Sequence, residues 1–135
     1  MSAFQALATR VTGDEEEGDP ATVKAADRVA LAVTGGPVPD RYRPASGEVV
    51  HYLLGATLGA AYGLAAEYRP GIGVGFGNAY GVAAALLLDD AAVPAAGLGP
   101  PPWRTSAGTH GYALASHLVF GTVLEGTRAL LGRRR

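Results

Sequence analysis

Residues 49–66 read VVHYLLGATLGAAYGLAA, and they decide the fold because they contain no acidic side chain, lysine or arginine. Two further stretches share this property: GIGVGFGNAYGVAAALLL at 71–88 and TSAGTHGYALASHLVFGTVL at 105–124. Each approaches the ~20 residues that a helix needs to cross about 30 Å of hydrocarbon. Core helices of a soluble protein are the alternative, but soluble surface helices carry a polar face that these stretches lack. We therefore predict an all-α membrane protein with three spanning helices.

The chain before the first span is more polar and divides into three parts. The predicted order is an acidic disordered tail, a short amphipathic helix, a proline-rich linker and the transmembrane domain, at residues 1–19, 20–36, 37–48 and 49–135. Lys24, Asp27 and Arg28 make the short helix too polar to span a bilayer. We expect it either to lie at the membrane interface or to pack against the bundle.

Composition excludes several classes of function. The net charge of -1 and the pI near 6.3 provide no basic surface for a nucleic acid. Because the three apolar stretches predict membrane insertion, we expect the lipid bilayer to be the main partner. The chain contains no cysteine, which excludes disulfides, thiolate catalysis and cysteine-ligated metal. Its first residues lack the apolar core of a secretion signal.

Glycine recurs at four-residue spacing, which is about one helical turn. The glycines concerned are Gly55, Gly59 and Gly63 in the first span, Gly73, Gly77 and Gly81 in the second, and Gly121 in the third. In lipid, helices associate through close backbone approach, which such small residues permit. The pattern predicts glycine-packed helices. Its unused glycine faces favour a homo-oligomer or another membrane-protein partner.

Ionisable residues continue the same helical faces. Antiparallel threading places His51, at the start of the first span, near Asp89, at the end of the second, with His117 about two turns deeper. A carboxylate beside two imidazoles can bind a divalent metal, relay protons or hold a polar ligand. The alternatives are that His51 lies among lipid headgroups and that His117 bonds to a neighbouring helix. The sequence leaves the cofactor unknown.

Ion pairs are predicted at the opposite end of the bundle. Glu67 and Glu125 lie near that face, where Arg69 and Arg128 are available as partners. Neither this end nor the histidine cluster matches a standard zinc, phosphate-binding or nucleophile motif. The leading hypothesis is therefore a non-enzymatic structural or stress-related protein. A metal-, proton- or ligand-binding module is the second hypothesis, and a membrane enzyme using the histidine cluster is the third.

Residues 51–134 resemble the YagU-like family of bacterial inner-membrane proteins, whose molecular function is unknown. The elements that carry the resemblance are His51, Tyr62, Ala66-Glu67, Pro70, the glycine-rich second span, Pro94, Gly97-Leu98, Pro100-Pro101, His117, Glu125 and the terminal arginines. The resemblance implies an inner-membrane location, no known catalysis and, for one relative, a link to acid tolerance. The chain departs from the family in two respects. Where some members have an additional N-terminal spanning helix, it has the polar helix and the linker, and it has Asp89 where a relative has histidine.

Arginines near the ends of the spans predict the orientation. Arg41, Arg43 and Arg104 flank the N-terminal side, whereas the opposite side has five arginines: Arg69, Arg128, Arg133, Arg134 and Arg135. Because positively charged loops remain in the cytoplasm, the sequence predicts a multi-pass protein with a cytoplasmic C-terminus.

Overall fold

The computed structural model describes residues 18–132, and this part of the chain is helical, without a β-strand. Its principal helices are α1 (Ala21–Thr34), α2 (Arg43–Tyr68), α3 (Asn78–Ala85) and α4 (Ala107–Gly132). α3 continues directly into a π-helical segment (Leu86–Ala92) and one α-helical turn (Val93–Ala95). Short 3₁₀ turns occupy Asp40–Tyr42, Pro70–Gly73 and Pro102–Arg104. The all-α prediction is confirmed; the predicted tail lies outside the described residues except for Gly18 and Asp19.

The short helix α1 packs against the start of α2. It buries Val23 and Ala26, two residues of the apolar face that the sequence indicates. At Gly47 of α2, an added Cβ would lie 2.7 Å from Val23 Cγ2, so a glycine is needed for this approach. α1 ends where Gly35 adopts a left-handed conformation, with φ of 78°, which glycine tolerates best. Of the two predicted placements, the structure shows the one against the bundle.

Charged side chains fix α1 across one end of the bundle. Arg28 donates hydrogen bonds to the carbonyl oxygens of Ala96 and Gly97, which follow the turn after the π-helical segment. Arg43, at the start of α2, pairs with Asp19 and with Asp27, whose carboxylate lies 2.8 Å from the guanidinium. These contacts tie α1 to two other helical elements, so α1 caps the polar end of the fold.

Helix α2 begins earlier than the sequence indicates. The linker predicted at 37–48 is helical from Arg43 onward, because Pro44 fits the first helical turn, where a backbone N–H would have no partner. Together with the preceding turn it forms a 29-residue helical stretch, Asp40–Tyr68, with a mean hydropathy of 1.4 in its most apolar part. Only 11% of that part is buried. Within residues 18–132 this is the one helix long and apolar enough to cross a membrane.

The second apolar stretch is not α-helical before residue 78, and the prediction of one helix from residue 71 is wrong there. Four of residues 71–77 are glycines, each of which disfavours helix by about 1 kcal/mol relative to alanine. Gly75, Phe76 and Gly77 all have positive φ, which a right-handed helix excludes. The stretch forms a 3₁₀ turn and a tight loop, and α3 begins only at Asn78.

The closest packing in the fold joins α3 and its preceding loop to α4. A Cβ built on Gly81 would overlap the carbonyl of His117 and lie 2.9 Å from its carbon. A Cβ built on Gly121 would overlap the carbonyl of Gly77 in the same way, again with 2.9 Å to its carbon. Because Gly77 precedes α3, the predicted groove through Gly73, Gly77 and Gly81 does not lie on one helix. These glycines nevertheless bring two backbones into direct contact.

The predicted glycine face of α2 is packed much less. An added Cβ at Gly59 would lie 3.2 Å from Leu124 of α4, whereas at Gly55 and Gly63 it would meet no atom within 4 Å. α2 therefore approaches α4 at a few points only. The polar contact described below, between Tyr62 and Glu125, is one of them.

Apolar side chains lie mainly on the outside of the fold. The buried apolar residues among residues 18–132 are small except for two, and the set is Val23, Ala26, Tyr62, Ala66, Ala84 and Ala85. Outward-facing residues include Leu53 and Leu64 of α2, Leu87 of the π-helical segment and Val119 of α4, each 62–66% exposed. The interior is thus built from glycine, alanine and a few polar groups, and the leucines and valines surround it.

Candidate polar site at the bundle end

Two adjacent carboxylates, Asp89 and Asp90, lie in the π-helical segment that prolongs α3. Pro94 follows in the next turn; it has no N–H to donate, and its ring would crowd the carbonyl four residues earlier in a regular α-helix. A wider π turn relieves that crowding, and such insertions are frequent at functional sites. The local sequence therefore explains why the helix widens where the carboxylates occur.

Each carboxylate faces a histidine of α4. Asp89 Oδ2 lies 3.5 Å from His117 Nδ1, and Asp90 Oδ1 lies 3.4 Å from His110 Nδ1. The histidines are seven residues apart, which is nearly two helical turns, so they share one face of α4. The side chains are partly shielded from solvent, with exposed fractions between 19% for His117 and 41% for Asp89.

The two pairs differ in how their protons are placed. His117 Nδ1 lies 2.9 Å from the carbonyl oxygen of Ala113, which can only accept, so this nitrogen carries a proton that also faces Asp89. His110 instead places Nε2 2.9 Å from the carbonyl oxygen of Pro102, so Nε2 carries the proton. In neutral His110, Nδ1 is then an acceptor aimed at the acceptor oxygen of Asp90. This pair becomes attractive only with an added proton or an outside donor.

A cavity of about 200 Å³ opens beside these pairs. Its polar lining comes from three places: Asp19 and Lys24 on the α1 side, Asp89 and Asp90 of the π-helical segment, and Thr105, Thr109 and His110 at and just before the start of α4. Apolar lining comes chiefly from Val93, Leu98 and Pro100. Carboxylates and an ammonium group therefore face the same small volume.

The structure brings Asp89 and His117 together but does not add His51 to them. His51 is exposed, and its ring contacts that of the neighbouring Tyr52 edge-on at 5.8 Å between centroids. No hydrogen bond or ion pair within residues 18–132 joins it to Asp89 or His117. His110 takes the second histidine position because the π-helical segment turns Asp90 toward the start of α4. The predicted cluster did not include His110.

At the opposite end, a buried carboxylate joins α2 to α4. Glu125 is 7% exposed, accepts a hydrogen bond from the Tyr62 hydroxyl, and receives two from Arg128 at 2.6 and 2.8 Å. An added Cβ at Gly73 would lie 3.2 Å from the same carboxylate, so glycine lets the loop pass it closely. Glu67 and Arg69, the other predicted pair, are exposed and form no ion pair within the described chain.

Tyr62 is a buried polar residue that was not among the predicted site residues. It is 1% exposed, and its ring meets that of Tyr80 at 4.9 Å in an edge-to-face arrangement. Tyr80 in turn donates to the carbonyl oxygen of Leu58, 2.8 Å away. The signal in the sequence is position: Tyr62 lies within the first span, where a buried tyrosine hydroxyl needs a hydrogen-bond partner.

Replacing Tyr62 with phenylalanine should destabilise the fold while preserving its packing. The substitution removes one donor from a buried carboxylate, and hydrogen bonds to charged groups contribute about 1.5–3 kcal/mol. Thermal unfolding of the purified protein should therefore occur at a lower temperature. Tyr52→Phe is the matched control, since Tyr52 is 71% exposed. Equal unfolding temperatures for the two variants would contradict a stabilising role for the Tyr62 hydroxyl.

Comparison with known proteins adds no relative to this picture. No family model matches the sequence, and neither curated proteins nor solved structures gave a significant match. The site must therefore be interpreted from its own geometry.

Proposed function

We propose that this chain is a multi-pass membrane protein with a structural or stress-related, non-enzymatic role. The observation that carries the proposal is the distribution of apolar groups: twenty large hydrophobic residues are exposed among residues 18–132, against six buried apolar ones. Soluble monomers rarely expose contiguous apolar patches beyond a few hundred Å². Lipid tails solvate such an exterior without penalty, and glycine packing holds an interior that has little hydrophobic driving force of its own.

The proposed spans are α2, the α3 segment with its π-helical continuation, and α4. The tight loop before α3 then lies at membrane depth, which is tolerated where irregular backbone is packed against protein. Gly73 and Gly77 supply that packing by their contact with α4. The sequence resemblance supports a YagU-like family membership, a bacterial inner-membrane location and a role in acid stress. The arginine distribution supports a cytoplasmic C-terminus, and the open glycine face of α2 supports self-association.

Membrane fractionation tests this proposal. We expect the full chain to remain in the membrane pellet after an alkaline carbonate wash and to be released only by detergent. A peripheral protein of the same host should be released by the wash and serves as the control. Recovery of the chain in the wash, or as a monodisperse species in buffer without detergent, would overturn the proposal.

A second candidate function is the binding of a proton or small ligand at the polar site, and the Asp90–His110 pair favours it. Two acceptors face each other there unless a positive charge or donor enters between them. A metal ion is less well supported, because within residues 18–132 no three His, Asp or Glu side chains are grouped as ligands.

Proton uptake tests this second function. When a weakly buffered solution of the detergent-purified protein is acidified, Asp90→Asn should reduce the number of protons bound per chain. Asp40→Asn, which alters an exposed carboxylate outside the site, provides the baseline for losing any one carboxylate. The proton-binding function requires Asp90→Asn to change the uptake curve more than Asp40→Asn does. Identical curves would leave the Asp90–His110 pair as a packing contact only.

A further inference from the structure

The cavity at the bundle end combines a definite size with charges of both signs. Its volume of about 200 Å³ is well above the roughly 10–15 Å³ that a single water molecule needs. That is too large for a proton or a bare ion alone, and it fits a charged head group with a few carbon atoms. The apolar lining by Val93, Leu98 and Pro100 favours such carbon atoms over water.

The negative side of this cavity has unused hydrogen-bonding capacity. Asp89 and Asp90 each lie near a histidine, at 3.5 and 3.4 Å, and their side chains remain 41% and 30% exposed. Asp19 is different, because it is already paired with Arg43. Partly exposed carboxylates that line a cavity are stabilised by a ligand that brings donors with it.

The Asp90–His110 pair defines what kind of donor fits. Because His110 Nε2 donates to Pro102, the neutral ring directs its Nδ1 lone pair at the carboxylate oxygen 3.4 Å away. A group placed beside them must donate to both atoms at once. A primary ammonium does so, since it has three N–H donors and a positive charge. A quaternary ammonium has the charge but no N–H, and a carboxylate or phosphate has the wrong sign.

We propose that this cavity binds a primary ammonium group, held between Asp90 and His110 with Asp89 nearby. The inference rests on the proposed ligand-binding function and names its ligand class. Lys24, which carries a positive charge, lines the same cavity. It is therefore available for an anionic group on the same ligand, as in a phosphoethanolamine head group. A free small amine offers the same ammonium chemistry without the anion.

Binding measurements on the full chain in non-ionic detergent test the inference. Short-chain phosphatidylethanolamine and phosphatidylcholine with identical acyl chains form one arm, and ethanolamine and choline form the other. Within each pair the primary nitrogen has three N–H donors, whereas the quaternary nitrogen has three methyl groups in their place. We expect the primary ammonium to bind at least about tenfold more tightly than its quaternary counterpart, which corresponds to one charge-assisted hydrogen bond. A preference in the lipid arm alone identifies a lipid head group, and a preference in both arms identifies the ammonium itself.

Two substitutions test whether the preference for a primary ammonium arises at Asp90 and His110. Asp90→Asn should abolish the tenfold preference, and Asp40→Asn should preserve it. His110→Leu removes the other acceptor and should also abolish the preference, so it replaces Asp90→Asn if that variant does not fold. Equal binding of primary and quaternary compounds by the unmodified chain, or an unchanged preference in both site variants, overturns the inference. If the chain stays in the membrane pellet but binds primary and quaternary ammonium compounds equally, the ammonium site is wrong and the membrane proposal still holds.

Discussion

Replacing Gly121 with alanine should be among the most destabilising single changes in this protein. The new Cβ would overlap the carbonyl oxygen of Gly77 and lie 3.3 Å from the nitrogen of Gly81. Both obstacles are backbone, so no side-chain rotation relieves them and α3 must move away from α4. Overpacking of a tight contact costs about 1–3 kcal/mol, and we expect the upper end, about 3 kcal/mol. Thermal unfolding of the detergent-purified variant measures the loss.

Gly126→Ala is the matched control because it adds the same methyl group to the same helix. No atom lies within 4 Å of the position that its Cβ would occupy. Alanine also favours helix over glycine by up to about 1 kcal/mol, so this variant should unfold at the same temperature or slightly higher. Equal destabilisation by the two substitutions would show that the backbone contact between α3 and α4 is absent.

Replacing Arg128 with methionine should produce the second large loss. The substitution leaves Glu125, whose side chain is 10% exposed, without its cationic partner, and removes two hydrogen bonds from the carboxylate. Breaking a fully buried pair costs about 3–5 kcal/mol. Arg128 itself is 47% exposed, so water screens part of the interaction, and we expect a smaller loss than for a fully buried pair.

A second substitution should recover part of this loss. Adding Glu125→Gln to the Arg128→Met background removes the uncompensated charge while leaving an oxygen that accepts the Tyr62 hydroxyl. The double variant should therefore be more stable than Arg128→Met alone. Arg69→Met is the control for removing an arginine, since Arg69 is exposed and has no ion pair among the described residues. A double variant less stable than the single one would contradict a charge-based explanation.

Hydropathy predicted the helices well and their boundaries poorly. The absence of charge in 71–88 indicates an apolar environment, but it does not separate helix from a packed glycine loop. The backbone conformation separates the two: Gly75, Phe76 and Gly77 adopt positive φ, and Gly77 lies against α4. That choice depends on tertiary contact with Gly121, which spacing along the sequence does not reveal.

The sequence predicted the Asp89–His117 part of the candidate site but not the Asp90–His110 part. Antiparallel threading of the spans suffices to place Asp89 near His117, and the structure has them 3.5 Å apart. The choice between His51 and His110 depends on the direction in which the π-helical segment turns Asp90. In a regular α-helix, Asp89 and Asp90 would point in other directions. The π-helical widening before Pro94 leaves no trace in the spacing of apolar residues, so the sequence pattern does not predict it. The role of α1 as a cap carrying Lys24 depends equally on tertiary ion pairs.

Spin-label accessibility tests the central claim, that the apolar exterior of the bundle faces lipid. The absence of native cysteine allows single cysteines to be placed at Leu53, Leu87 and Val119, which are 63%, 66% and 62% exposed. In reconstituted bilayers, nitroxides at these three positions should collide readily with oxygen, which partitions into lipid, and rarely with a water-soluble nickel chelate. A label at Val38, before α2, should show the reverse. Ready access of the nickel chelate to all three exterior positions would contradict the account.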